Sequence, residues 1–222
     1  MRPFWPLVLL ALCLLLIEAC EREIPPVAEP VTTTGYQIEG FVLDGLGNPV
    51  RGLPIALYYD YELVDTGPAP SKIFRASDPS AIVRVTVFDS YNRPLLTLFQ
   101  GRPPEEGGLE IDWDQEDAFG NPAPSGAYTV QYIVGGQTKM SYPVVVSGNV
   151  VTTTDTSGHY IIPDQYLPVG FSPVPLYSAD SSSYLGNYQI TPYVVLEFRL
   201  QPSRYGYVIL TQDQITRFDF KL

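Results

Sequence analysis

Three groups of side chains in this chain of 222 residues have types and spacings that could do chemistry. Asp112, Asp114, Glu116 and Asp117 form its densest run of carboxylates. Calcium takes roughly six to eight oxygen ligands, so Asp112, Asp114 and Asp117 are candidate metal ligands. The run lacks the sixth-position glycine and late glutamate of a helix–loop–helix calcium site. The same residues also fit a strand end and turn, with Asp112 and Asp114 on one face and Trp113 pointing to the core on the other. Asp155, Ser157 and His159 have the types of a nucleophilic triad. They share one tight turn, however, which cannot place nucleophile, base and orienting acid in three positions. No Gly-x-Ser-x-Gly element is present, and His159 is the only histidine, too little for a zinc site. Tyr58, Tyr59 and Tyr61 surround Asp60. Exposed together they are candidates for stacking on sugar rings; alternatively they are strand residues packed in a core.

Cys20 is a fourth reactive position, and its context is different. Arg2 precedes an apolar run from Phe4 to Ile17, and Leu16-Ile17-Glu18-Ala19-Cys20 follows. The run is shorter than the roughly 20 apolar residues that span a bilayer, and suits the core of a signal peptide. The five residues around Cys20 resemble the lipobox of bacterial lipoproteins. That resemblance implies diacylglycerol on the Cys20 thiol, cleavage before Cys20, and acylation of the new amino terminus by a chain such as palmitate. Glu18 departs from the pattern, which has a small or apolar residue there. The alternative is an ordinary secretory signal cut near Ala19. The only other cysteine, Cys13, lies inside the apolar run. Cleavage would therefore leave Cys20 with no partner for an intramolecular disulfide.

The formal charge is −11. Cleavage would remove one charge of each sign, Arg2 and Glu18, and leave that balance unchanged. An acidic body does not attract nucleic acid or anionic headgroups. Membrane association would rest on acyl chains, of which stable anchoring needs two or more. Residues 21–34 (EREIPPVAEPVTTT) read as a flexible spacer. At ~3.1 Å per extended residue they would span ~40 Å.

Beyond residue 34 the signals are those of strands. Val83, Val85 and Val87 alternate with Arg84 and Thr86. Leu109, Ile111 and Trp113 alternate with Glu110, Asp112 and Asp114, while Tyr128, Val130, Tyr132 and Val134 make a third such face. Val194, Leu196, Phe198 and Leu200 make a fourth, and Phe218, Phe220 and Leu222 close the chain. Glycine and proline break these runs at short intervals, the pattern of β-sandwiches. Residues 171–191 read as a long loop.

Two stretches resemble the halves of one known domain. Residues 38–57 (IEGFVLDGLGNPVRGLPIAL) resemble the opening of the carboxypeptidase regulatory-like, or transthyretin-like, β-sandwich. Thr152-Thr-Thr-Asp155-Thr-Ser-Gly158-His-Tyr160-Ile-Ile162 and the closing residues 214–222 resemble its second half. Between them, Trp113-Asp114, Asp117-Ala-Phe-Gly120-Asn121 and Pro124-Ser-Gly126-Ala-Tyr128 follow in order. That series resembles the FlgD-like immunoglobulin-type domain. The expected architecture is all-β, with two β-sandwich domains after an N-terminal signal helix and a flexible spacer. Residues 1–19 are the signal peptide and 20–34 the lipidated cysteine and spacer. Residues 35–65 plus 148–222 form the carboxypeptidase regulatory-like sandwich, and 66–147 the FlgD-like domain inserted in it. The alternative is three β modules in series.

The resemblances imply a cell-envelope lipoprotein that binds or positions another envelope protein or a glycan, without catalysis and without a cofactor. Glu21 is not the aspartate that commonly retains lipoproteins at the inner membrane, which favours the outer membrane. One alternative is a carbohydrate-active accessory protein or a glycosidase-type hydrolase, which would use two carboxylates, Asp112 and Asp117 first among them. Another is an envelope lipoprotein of assembly or secretion.

Overall fold

Thirteen strands carry the fold in the computed structural model, which describes residues 35–104, 108–178 and 183–222. The signal segment, Cys20 and the spacer lie outside the described residues. The strands are β1 (Tyr36–Leu43), β2 (Pro54–Asp65), β3 (Val83–Asp89), β4 (Pro94–Gly101) and β5 (Gly126–Val134). They continue as β6 (Gln137–Val146), β7 (Asn149–Thr153), β8 (His159–Ile162), β9 (Val174–Tyr177) and β10 (Tyr184–Phe198). The last three are β11 (Arg204–Ile209), β12 (Gln214–Arg217) and β13 (Phe220–Lys221). A 3-10 turn, Asp164–Tyr166, follows β8. The chain is all-β, and its sheets pack as β-sandwich bodies.

In the first body β1 lies between β8, antiparallel to it, and β12 and β13, both parallel to it. A second sheet runs β11-β10-β2-β7, with β9 also on β10. Strand alternation turns Ile38 and Val42 of β1 and Tyr160 and Ile162 of β8 inward. They meet Ile55, Leu57, Val194, Leu196 and Phe198 of the facing sheet in one apolar core. Gly40 is required where the chain passes from β12 to β13, because a Cβ there would sit 1.9 Å from the Phe218 carbonyl oxygen. That carbonyl instead accepts the Tyr160 hydroxyl at 2.6 Å.

A third sheet, β4-β3-β5-β6, falls in sequence between β2 and β7, which pair with each other through Ala56 and Val150. Its core is separate: Val83, Val85, Val87, Val130, Tyr132 and Tyr142, capped by Phe74, Leu109, Trp113 and Ala123. The capping layer corrects the expected strand at 109–113. Only Leu109 makes a ladder contact, a bridge to Phe74. Burial still alternates, with Leu109 and Trp113 inside and Glu110, Asp112 and Asp114 exposed. The backbone can stay extended without a neighbouring strand because tyrosines satisfy it. The Ile111 amide donates to the Tyr132 hydroxyl at 3.1 Å, and the Tyr142 hydroxyl donates to the Ile111 carbonyl at 2.6 Å. The long loop expected over 171–191 is also corrected, since β9 and the first part of β10 occupy much of it.

Four turns are built alike, on Asp44, Asp89, Asp117 and Asp155. Each carboxylate accepts the backbone amides two and four residues on. Each aspartate carbonyl accepts the amide three residues on. The residue at that third step has positive φ: Gly47 (89°), Asn92 (58°), Gly120 (78°) and Gly158 (77°). This is a type I turn with a left-handed fourth residue, which glycine and asparagine tolerate best.

Candidate binding face

The sheet β11-β10-β2 buries one face and opens the other. In β2, Leu57 and Tyr59 point into the core while Tyr58 and Asp60 point out. In β10, Val194 and Leu196 point in, leaving Tyr193 and Val195 outside. In β11, Gly206 and Val208 point in, leaving Tyr205, Tyr207 and Ile209 outside. Register brings the outward side chains into rows. Val195 lies opposite Tyr207 on one side and Tyr58 on the other, Tyr193 lies opposite Ile209, and Glu197 lies opposite Tyr205. Tyr207 is 79 % exposed, Ile209 61 %, Tyr193 54 % and Tyr205 53 %. A shallow open depression of about 610 Å³ lies among Asp60, Tyr193, Val195, Tyr207 and Ile209.

Polar groups frame this surface at both ends. Asp60 accepts the Thr191 hydroxyl at 2.9 Å. At the other end the Tyr58 hydroxyl donates to Glu197 at 3.0 Å, and Arg199 lies 3.5 Å from the same carboxylate oxygen. Arg199 also donates to the Gly148 carbonyl at 2.7 Å. Burial alone would raise the Glu197 carboxyl, but hydrogen bonds from Ser203 and Tyr58 and the Arg199 charge outweigh it, holding the group below its ordinary value. Glu197 is therefore a fixed anion beneath an apolar, tyrosine-rich surface. Such a surface can bind by burying rings and by directional hydroxyl contacts.

Of the described side chains singled out from the sequence, all but Tyr58 lie away from this face. Tyr58, Tyr59 and Tyr61 do not make one exposed platform, because strand alternation sends Tyr59 into the core. Its hydroxyl donates to the Tyr166 carbonyl at 2.8 Å, and burial raises its pKa far above the usual phenol value. Tyr61 packs against the same core. Of the three, only Tyr58 joins the open face. The carboxylates of the acidic run serve separate tasks. Asp112 pairs with Lys72 at 2.8 Å, Asp114 accepts the Glu116 amide, and Asp117 nucleates its turn. Among the described residues no group of three or more His, Cys, Asp or Glu side chains is placed to hold a metal ion. The Asp155 carboxylate accepts the Ser157 hydroxyl and the His159 amide, while the His159 ring lies against Phe41 at 4.9 Å. Those three residues make a turn, and no triad geometry. Cys20 lies outside the described residues. No helix among the described residues is long and apolar enough to cross a membrane.

A second polar cluster joins the two cores. The Tyr91 hydroxyl donates to Asp164, the Ser90 hydroxyl to the Gln165 carbonyl at 3.0 Å, and Arg93 to the Gln165 side chain at 2.8 Å. Burial first, then the Asp164 hydrogen bond, raises the Tyr91 phenol pKa. The open face itself was missed in the sequence, although one signal was there. Tyr205-Gly-Tyr-Val-Ile209 is apolar at both alternating positions, whereas a strand covered on one side only alternates. The chain matches no family model, and no curated protein or solved structure matches it.

Proposed function

We propose that this chain is an exported lipoprotein of a bacterial cell envelope, held to a membrane through Cys20, whose β body is a non-catalytic binding module. The observation that carries the binding reading is the open face of Tyr193, Tyr205, Tyr207 and Ile209. Solvent-facing strand positions normally carry polar residues, and contiguous apolar patches mark interaction sites. The anchoring reading is supported by Leu16-Ile-Glu-Ala-Cys20 after a short apolar run. We assign residues 35–65 and 148–222 to a carboxypeptidase regulatory-like sandwich, and 66–147 to a FlgD-like domain inserted in it. The two separate cores and the β2–β7 pairing support that division. Glu21 after the cysteine favours outer-membrane placement.

Two measurements test the proposal. Cys20→Ser abolishes metabolic labelling with palmitate and moves the chain to the soluble fraction; a variant that still needs detergent refutes the lipid anchor. Photo-crosslinking from Tyr193 and Tyr207 in intact cells captures an envelope component, and crosslinking from Leu46 on the Asp44 turn does not. Equal capture from both sites removes the face from the proposal.

A further inference from the structure

We infer that the occupant of this face is a second copy of the same chain, packed sheet on sheet about a two-fold axis. The inference rests on the reading that the β11-β10-β2 face is the binding surface, and it is independent of the lipid anchor.

The exposed area is large enough. Tyr58, Tyr193, Tyr205 and Tyr207 remain 36, 54, 53 and 79 % exposed, and Ile209 61 %. At roughly 200 Å² for a whole aromatic side chain, these residues leave on the order of 500 Å² of side-chain surface open. That is near the upper end for the largest apolar patch on a monomer. Two such faces bury about 1,000 Å² together, the size at which an interface becomes specific. Pairing through the β11 edge alone would leave Tyr193 and Tyr58 uncovered, so packing face to face is the arrangement that uses the whole patch.

The face is also complementary to itself. Tyr207, Val195 and Tyr58 form a central row across the three strands. Ile209, Tyr193 and Asp60 lie on one side of it. Tyr205 and Glu197 lie on the other, with Arg199 two residues further along the chain. A two-fold axis along the central row turns each side onto the other. Tyr205 of one copy then meets Ile209 of the second, and the tyrosines of the central rows meet each other. Arg199, with its side chain 43 % exposed, comes over Asp60 of the second copy. This is the isologous geometry of a two-fold dimer, with strands nearly aligned as in packed sheets. Charge is consistent with this arrangement. With a formal charge of −11 the copies repel in general. Here Arg199, already beside Glu197 of its own copy, also faces the Asp60 carboxylate of the other, twice.

The test uses the full-length chain, extracted in mild detergent and examined by sedimentation over a concentration series. A monomer–dimer equilibrium is expected. Tyr207→Arg, which should melt as the wild type does at concentrations where both are monomeric, raises the dissociation constant about tenfold or more. Leu46→Arg, on a side chain 90 % exposed at the Asp44 turn, leaves it unchanged. Asp60→Arg weakens the dimer, and adding Arg199→Asp to it restores association. A wild-type chain that is monomeric at every concentration, and also uncrosslinked to itself in the native membrane, overturns the inference. If such a monomer is retained on an insoluble glycan and Tyr207→Arg releases it, the face remains the binding surface and its occupant is a carbohydrate. If Tyr207→Arg changes neither association nor retention, the binding reading of the face falls as well.

Discussion

Tyr58 and Glu197 meet across β2 and β10, where the phenol donates to the carboxylate at 3.0 Å. The carboxyl is almost wholly buried, yet hydrogen bonds and Arg199 hold its pKa below the ordinary value despite the burial penalty. Tyr58→Phe removes one donor and should cost about 0.5–1.5 kcal/mol, read as a lower urea midpoint with unchanged slope. Because the folded pKa is depressed, the contribution of Glu197 is present above the unfolded value and is lost as pH falls through the folded one. Glu197→Gln should therefore flatten the acid side of the stability curve, an effect that an unaltered pH profile would contradict.

The aspartate turns give a second acid-sensitive set. The Asn48 side chain first, then backbone amides, lower the Asp44 pKa. The Asn121 and Phe119 amides lower that of Asp117. The Ser157 hydroxyl and the His159 amide lower that of Asp155. All three carboxylates stabilise the fold above the unfolded value near 3.9, and that contribution disappears as pH falls through their depressed folded values. Alanine at all three positions should lower the melting temperature at pH 7 and bring it close to that of wild type in strong acid. Parallel melting curves at the two pH values would show that the turns hold without their carboxylates.

Trp113 caps the second core, stacked edge-on against Tyr128 at 4.9 Å, and its indole N–H donates to the Glu116 carbonyl at 2.7 Å. Trp113→Ala should cost about 3–5 kcal/mol, much of the stability of a single domain. Asp114→Ala removes only an exposed hydrogen bond to the Glu116 amide and should change the melting temperature little. A calcium chelator should leave the wild-type melting temperature unmoved. A clear drop on chelation would put a cation among Asp112, Asp114 and Asp117.

Tyr91 and Asp164 supply one of the three hydrogen bonds of the cluster that joins the two cores. Tyr91→Phe, Asp164→Ala and the double variant form a thermodynamic cycle, with an expected coupling of about 0.5–3 kcal/mol. A coupling near zero would leave the Ser90 and Arg93 contacts to Gln165, backbone continuity and apolar packing to hold the cores together.

Legibility in the sequence followed the physics of each segment. β3 and β5 were readable because every second side chain enters a core. Leu109 to Trp113 keeps the same alternation of burial without a ladder, so the pattern reported burial correctly and misreported hydrogen bonding. β10 was only half readable. Its register shifts at Asn187/Tyr188 and between Ile190 and Val194 break the two-residue period, and Gly186 and Pro192 imitate a loop. Among the candidate site residues, Asp117 was legible as a turn former. The tyrosine trio was not resolved, because residue type alone does not say which parity faces the core. Tyr193, Tyr205, Tyr207 and Ile209 are ordinary strand residues, and become a surface only when three strands distant in sequence are laid side by side.

The pairing of β1 has a consequence in time. Every strand that pairs with the first described strand arrives late: β8 begins at His159, β12 at Gln214 and β13 at Phe220. A chain emerging from its amino end cannot complete this sheet until residues 214–221 are delivered, whereas β3 to β6 can close their own ladder long before. Loop closure over such separations slows folding towards the millisecond-to-second range of sheet-rich proteins. The inner module is thus built to form first, and the outer one to close once β12 and β13 have emerged.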